Sequence, residues 1–342
     1  MMGQAVACSR PTTADRRRST VSGRRSTVAI AMVYGRERST PPVWCPSSPR
    51  RNPTLTRYIA AYDTETPEDC LAACRRIREV HEAFAFPATF FVVGRLLEQE
   101  GSDYRSLLGD MPLFELASHT YSHRMLRDHP FCGPAVAPQE RLREIRLGKD
   151  RIEQTFQRPC LGMRPGCGFD QALRGDPWLV DAVAAAGLGY VSSLLWGPEM
   201  TVPALLEPPF HYGPEGHPEL WELPAHGWHE NLLKGHNLTT RPQRIVAWPS
   251  PFPEAVPLRP IATPEEEFAV NRLFIDRAVA LDLPYVSLIW HPWSLARFDP
   301  DMRMLHLTFA YVRDCGLEPT TFGAEWERCR GGSTSRSIGL PS

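Results

Sequence analysis

An α/β architecture with a mostly parallel sheet is what this sequence predicts, on three observations. Short apolar runs of strand length alternate with longer amphipathic segments over most of the chain, the pattern of repeated βα units. Two of those runs, ATFFVV at 88–93 and YVSLIW at 285–290, are apolar without alternation, as strands covered on both faces require. The polar residues with most chemical potential, Asp63, Glu65, His119, His123, Arg164 and His291, all fall where such runs end. A barrel of βα units gathers its active site at the C-terminal ends of its strands.

The elements follow in order. YIAAY at 58–62 reads as a strand ending in Asp63-Thr64-Glu65. Thr66 suits a helix cap, Pro67 the first turn, and Glu68 and Asp69 the positive end of the dipole. That helix is expected to run to about Glu82 with Leu71, Cys74, Ile77 and Val80 on one face. Strands are expected at 88–93 and 113–117, the second running into the turn SHTYSH. A helix over 139–156 carries Leu142, Ile145, Ile152 and Phe156, and a strand at 160–163 ends in Arg164-Pro165-Gly166-Cys167-Gly168. A helix over 176–186 is closed by Gly187, which supplies the left-handed C-cap. After a strand at 190–195, regularity lapses over 196–259 except for a short strand at 220–223. A stretch that long and rich in Pro, Trp and His reads as a functional insertion or lid near the barrel mouth. Thr263 caps a helix expected to reach Asp282, the strand 285–290 ends at His291, and 301–315 is the last expected helix.

Composition bounds the class. The 342 residues are 42% hydrophobic and 23% charged, close to an ordinary globular chain. No run approaches the roughly 18 apolar residues of a membrane span. The net charge of −1 is unevenly placed, since residues 1–57 hold eleven Arg against Asp15 and Glu37. The remainder is correspondingly acidic, which argues against a nucleic-acid partner. Residues 1–52, rich in Arg, Ser and Pro, are expected to be a disordered leader. The barrel is expected over 53–325 and a flexible tail over 326–342. No signal peptide is legible, which makes the cytoplasm the default expectation. The nine Cys form no C-x-x-C pair, so neither a zinc ribbon nor a disulfide framework is expected.

The chemistry rests on spacing. His119 and His123, four residues apart, converge on one ion if their turn is helical. A catalytic zinc-type ion takes about three protein ligands from His and carboxylates. One carboxylate of Asp63-x-Glu65 completes the count, because residues i and i+2 on an extended strand point the same way. The other is then free to take a proton from water activated by the ion, which describes metal-assisted hydrolysis of a carbonyl compound. Taken singly, Asp63 and Glu65 read rather as a helix cap and a solvated turn.

The order YDTE, ATFFVVG, ELASHTYSH, MRPGCGF and YVSLIWH resembles the polysaccharide deacetylases, the carbohydrate esterases with the NodB homology domain. The resemblance spans about Ile59 to Gly316. It implies a distorted (β/α)7 barrel and metal-dependent removal of acetyl from an N-acetylated sugar or polysaccharide. It also implies Asp63 as general base, Glu65, His119 and His123 as metal ligands, and Arg164 paired with Asp63. A backbone N–H near Cys167 would bind the oxyanion, and His291 would be the general acid. The implied cofactor is a divalent metal, zinc before others. The sequence departs from the family in three places: Asp63-Thr64-Glu65 replaces adjacent acids, Cys167 replaces an aromatic, and Ser192, Ser193 and Trp196 stand where an Asp and a Trp tune the histidine.

Two other functions fit the same residues: an amidohydrolase of this fold acting on a small linear or cyclic amide, and a catalytically silent carbohydrate-binding barrel. The insertion adds His226 and His229 as rival ligands or cleft wall, and Trp221 and Trp228 as sugar-stacking or core aromatics. A carbohydrate or small amide is therefore the expected partner, and oligomeric state is left open.

Overall fold

The computed structural model describes residues 56–67, 69–130, 132–200, 204–226, 234 and 260–334. The expected leader, His229, Trp228 and residues 335–342 lie outside the described residues. Strands β1 (Arg57–Thr64), β2 (Ala88–Val92), β3 (Phe114–Ser118), β4 (Gly162–Met163), β5 (Tyr190–Val191), β6 (Phe210–Tyr212), β7 (His217–Glu222), β8 (Tyr285–Trp290) and β9 (Glu318–Thr320) form one sheet. Its order is β6-β7-β5-β4-β3-β2-β1-β8, with β9 also beside the start of β1. All pairings are parallel except β6 with β7. Helices are α1 (Asp69–Phe84), α2 (Gly94–Tyr104), α3 (Pro138–Phe156), α4 (Pro177–Ala185), α5 (Pro264–Ala280), α6 (Pro292–Phe298), α7 (Arg303–Asp314) and α8 (Phe322–Thr334).

Leaving aside the β6 hairpin and the short β9, seven parallel strands curl into a distorted (β/α)7 barrel. The distortion is at the seam between β7 and β8, which share no strand pairing. The chain leaving β7 bridges that seam: Tyr285 Oη donates to Pro224 O at 2.8 Å and His226 N to Ser287 O at 3.1 Å. The Ser287 N–H donates to His226 Nδ1 at 3.2 Å, and His226 Nε2 lies 2.9 Å from Glu207 O. His226 is therefore a seam residue with both ring nitrogens engaged, and not a rival ligand.

Period-two alternation sorts each strand into lumen and outer layer. In β1, Tyr58, Ala60 and Tyr62 join the larger cluster under the helices, whereas Ile59 and Ala61 join an inner cluster with Phe91, Ala117, Tyr190, Tyr285 and Phe322. Asp63 continues the inner set, which places its carboxylate at the C-terminal end of the lumen. Glu115 lies at the opposite end. It accepts from Thr89 Oγ1, Tyr190 Oη and the Gly323 N–H at 2.7, 2.7 and 2.8 Å. A carboxylate on the first turn of α8 meets the positive end of that helix and seals the floor of the barrel.

Several boundaries differ from the sequence reading. Strands β4 and β5 are two residues each, because the chain turns into the site sooner than apolar content indicates. The stretch 196–259 is not irregular throughout: β6 and β7 form an antiparallel hairpin, and β7 is a barrel strand. The barrel does not end at residue 325. Helix α8 continues to Thr334, and Trp326 and Cys329 pack on the inner cluster. Among the described residues no helix is long and apolar enough to cross a membrane.

Candidate metal centre and active site

The histidine turn is built by its neighbours. Two orphan N–H groups at the start of α2, those of Gly94 and Arg95, donate to the carbonyls of Thr120 and Tyr121 at 2.9 and 2.7 Å. From α3, Glu144 accepts from Ser122 N at 2.7 Å and Ser122 Oγ at 2.5 Å. One turn further along the same helix face is Gly148, where a Cβ would lie 2.5 Å from Ser118 Oγ and 2.6 Å from the Thr120 carbonyl carbon. The absent side chain is what lets the turn lie on the helix.

That turn is not helical. Thr120 and His123 have φ of 63° and 62°, in the left-handed region, and the expected helical i,i+4 geometry is replaced by two reversals that bring the rings together. Their centroids are 4.8 Å apart. The energetic cost of such backbone for non-glycine residues, about 1–2 kcal/mol each, is met by the contacts to α2 and α3.

Three side chains converge here. The ligand atoms of Glu65, His119 and His123 lie within 4.8 Å of one another. Glu65 Oε2 is 3.0 Å from His123 Nε2 and 3.8 Å from His119 Nε2. His119 Nδ1 lies 2.9 Å from the carbonyl of Arg164 and donates to it, which leaves its Nε2 lone pair facing Glu65. The His123 ring lies flat on Gly166, where a Cβ would come within 3.1 Å of three ring atoms. One carboxylate oxygen and two imidazole nitrogens, each oriented from behind, are a donor set that suits zinc.

Asp63 is buried beside this group. Arg164 Nη1 donates to Asp63 Oδ1 at 2.6 Å and Nη2 to Ser192 Oγ at 3.1 Å. The guanidinium also sits 4.0 Å from the centroid of Phe91, so it is held from three sides inside the lumen. His291 follows β8, with Nε2 3.8 Å from Glu65 Oε1. Burial raises the Glu65 carboxyl, but the charge of His291 and the hydrogen bond and charge of His123 outweigh it and hold it well below the usual carboxylate range. Burial lowers His123, but its hydrogen bond and charge interaction with Glu65, with Asp63 behind, leave it raised.

Cys167 has φ 60° and is joined to Cys132 by a disulfide, which the scattered cysteines did not lead the sequence reading to expect. The bond ties the loop after the histidine turn to the loop after β4. Trp196 Nε1 donates to Cys167 O, while the Cys167 N–H has no hydrogen-bond partner among the described residues.

All seven sequence-predicted site residues therefore lie at one end of the barrel, six of them linked directly through Glu65 or Arg164 and Cys167 through the neighbouring Gly166. Trp221, a candidate sugar platform, belongs instead to β7, with its ring 5.5 Å from His211. Sequence reasoning missed Trp293, whose Nε1 donates to Glu65 Oε1 at 3.2 Å. It missed Glu144 and Gly148 as well. Their signal was a buried acid and a glycine four apart in a helix otherwise read for its apolar stripe.

Residues 64–186 match the family model described as polysaccharide deacetylase. The matched span holds Glu65, both histidines, Arg164 and Cys167, and stops short of Asp63 on one side and His291 on the other. Among solved structures, a protein from Mycobacterium smegmatis ascribed to the polysaccharide deacetylases is 17% identical, with a TM-score of 0.59, covering 87% of this chain and 99% of that one. The allantoinase PuuE is 13% identical, with a TM-score of 0.56, covering 82% and 93%. Likeness at this identity shows a shared fold. No curated protein sequence matches the chain.

Proposed function

We propose that this chain is a metal-dependent hydrolase that removes an acetyl group from an N-acetylated sugar or polysaccharide. One observation carries the reading: Glu65, His119 and His123 converge at the barrel end where Asp63 is held against Arg164. The three convergent side chains would hold a divalent ion, most suitably zinc. When bound, such an ion polarises a carbonyl and lowers the pKa of water.

The chain's own residues supply the remainder. Asp63 accepts a proton from the attacking water, its carboxylate fixed and charge-balanced by Arg164. The Cys167 N–H donates to the oxyanion that forms as the carbonyl is attacked. His291 donates a proton to the departing nitrogen. No acid stands at Ser192 or Ser193 to orient it, and Glu65 Oε1 lies 3.8 Å from its Nε2.

The test is acetate release from chito-oligosaccharides or peptidoglycan by protein stripped with chelator and reloaded with zinc. Release is expected to vanish on stripping and in the His119→Ala/His123→Ala double variant. Ammonia or acid from small linear or cyclic amides, without acetate from sugars, would move the substrate to that class. Absence of any product, with sugar binding unaltered in the double variant, would leave a carbohydrate-binding barrel and sink the hydrolase reading.

A further inference from the structure

We propose that Trp293 is a positioning residue that fixes the carboxylate of Glu65 so that one chosen oxygen faces the two histidines. This rests on the metal-site reading above. Glu65 is the first residue beyond β1, outside the ladder that holds Asp63. A glutamate there has three side-chain torsions, and each left free adds entropy that ligand formation must remove.

The two carboxylate oxygens are treated differently. Oε2 faces His123 Nε2 at 3.0 Å and His119 Nε2 at 3.8 Å. Oε1 accepts the Trp293 indole N–H at 3.2 Å. The indole is itself held, because the Arg297 guanidinium lies 5.1 Å from its ring centroid and pairs with Asp69 at the start of α1. The helix after β8 and the helix after β1 thus clamp one indole, and the indole clamps the glutamate between them. An outer partner of this kind commonly changes metal affinity by about 10–100-fold.

The experiment is zinc affinity by competition against a chromophoric chelator, on the full chain. Trp293→Phe keeps the ring and removes the donor, and is expected to weaken zinc binding about tenfold. In a Glu65→Asp background the carboxylate is drawn back from the indole, so the same substitution is expected to add no further loss. Equal losses in both backgrounds would mark Trp293 as merely structural and overturn the proposal, as would unchanged affinity in Trp293→Phe, whatever its thermal midpoint. The underlying reading fails separately: wild type and His119→Ala/His123→Ala would then bind zinc equally weakly, and the proposal would fall with it.

Discussion

Arg164 donates to Asp63 from Nη1 and to Ser192 from Nη2, with its side chain fully sealed and that of Asp63 nearly so. Each partner is thus essential to the other's burial. The same residue's carbonyl accepts from His119, so one position in the chain orients both a proposed metal ligand and the proposed base.

Removing one member of that pair strands the other. Arg164→Met, close in length and apolar, is expected to lose about 3–5 kcal/mol of stability because it leaves Asp63 buried without a counter-charge. Asp63→Asn keeps a hydrogen-bond acceptor for the guanidinium and is expected to cost less stability while lowering turnover by about 10²–10⁴-fold. Urea denaturation beside acetate release separates the two. A loss in Arg164→Met well below about 3 kcal/mol would show that the pair is not coupled as drawn.

Gly148 gives a test of the histidine turn. Alanine in a helix is favoured over glycine by about 1 kcal/mol, but a Cβ here meets Ser118 Oγ at 2.5 Å and the backbone at Thr120 and Tyr121 at 2.6 and 2.9 Å. Displacing packed backbone costs about 1–3 kcal/mol, so the clash wins. Gly148→Ala is expected to lower stability and weaken zinc binding together, since the atoms it pushes carry the histidines. Calorimetry with a zinc titration checks this, and a stabilised variant with unaltered affinity would refute it.

Much of the fold was legible because strands covered on both faces are apolar throughout, as at 88–92 and 285–290. The site was legible because polar residues at the ends of such runs have no packing reason to be there. What stayed hidden depends on contacts distant in sequence. Glu115 looks out of place in a buried strand until α8 brings the Gly323 N–H onto it. The spacing of His119 and His123 was a sound signal with the wrong geometry attached, because the left-handed residues are stabilised by α2 and α3 and not by local propensity. The disulfide joins loops from different βα units, which spacing alone does not reveal.

Acid stability follows from two buried histidines. Burial lowers His81 and His226 from 6.5 to about 4, outweighing their bonds to the carbonyls of Phe86 and Glu207. Both are neutral in the fold and bind protons more readily when unfolded. Their contribution is therefore complete above pH 6.5 and is lost as pH falls toward 4, at most about 3 kcal/mol each. Stability measured by urea is expected to decline through that window. In His226→Gln the decline should be shallower, on a lower plateau, because the seam between β7 and β8 loses a buried bond. A slope unchanged by the substitution would assign the acid sensitivity elsewhere.

The Cys132–Cys167 disulfide closes a loop with a sequence separation of 35, for which chain-entropy arguments give about 3–4 kcal/mol of stabilisation. Its position matters more for turnover than for the ion. The histidines are held by α2, α3 and the Arg164 carbonyl, with Gly166 the one support that adjoins the disulfide, whereas the Cys167 N–H lies on the tethered residue itself. Cys132→Ser is therefore expected to lower stability by up to that amount and to reduce turnover about 10–100-fold, in the range of a misplaced oxyanion donor, while zinc affinity stays within about twofold. Thiol alkylation with mass analysis before and after reduction establishes the bond in the wild type, and parallel zinc titration and acetate release separate the effects. A fall in zinc affinity matching the fall in turnover would show that the tether supports the metal ligands, and that the division of labour between the two loops is wrong.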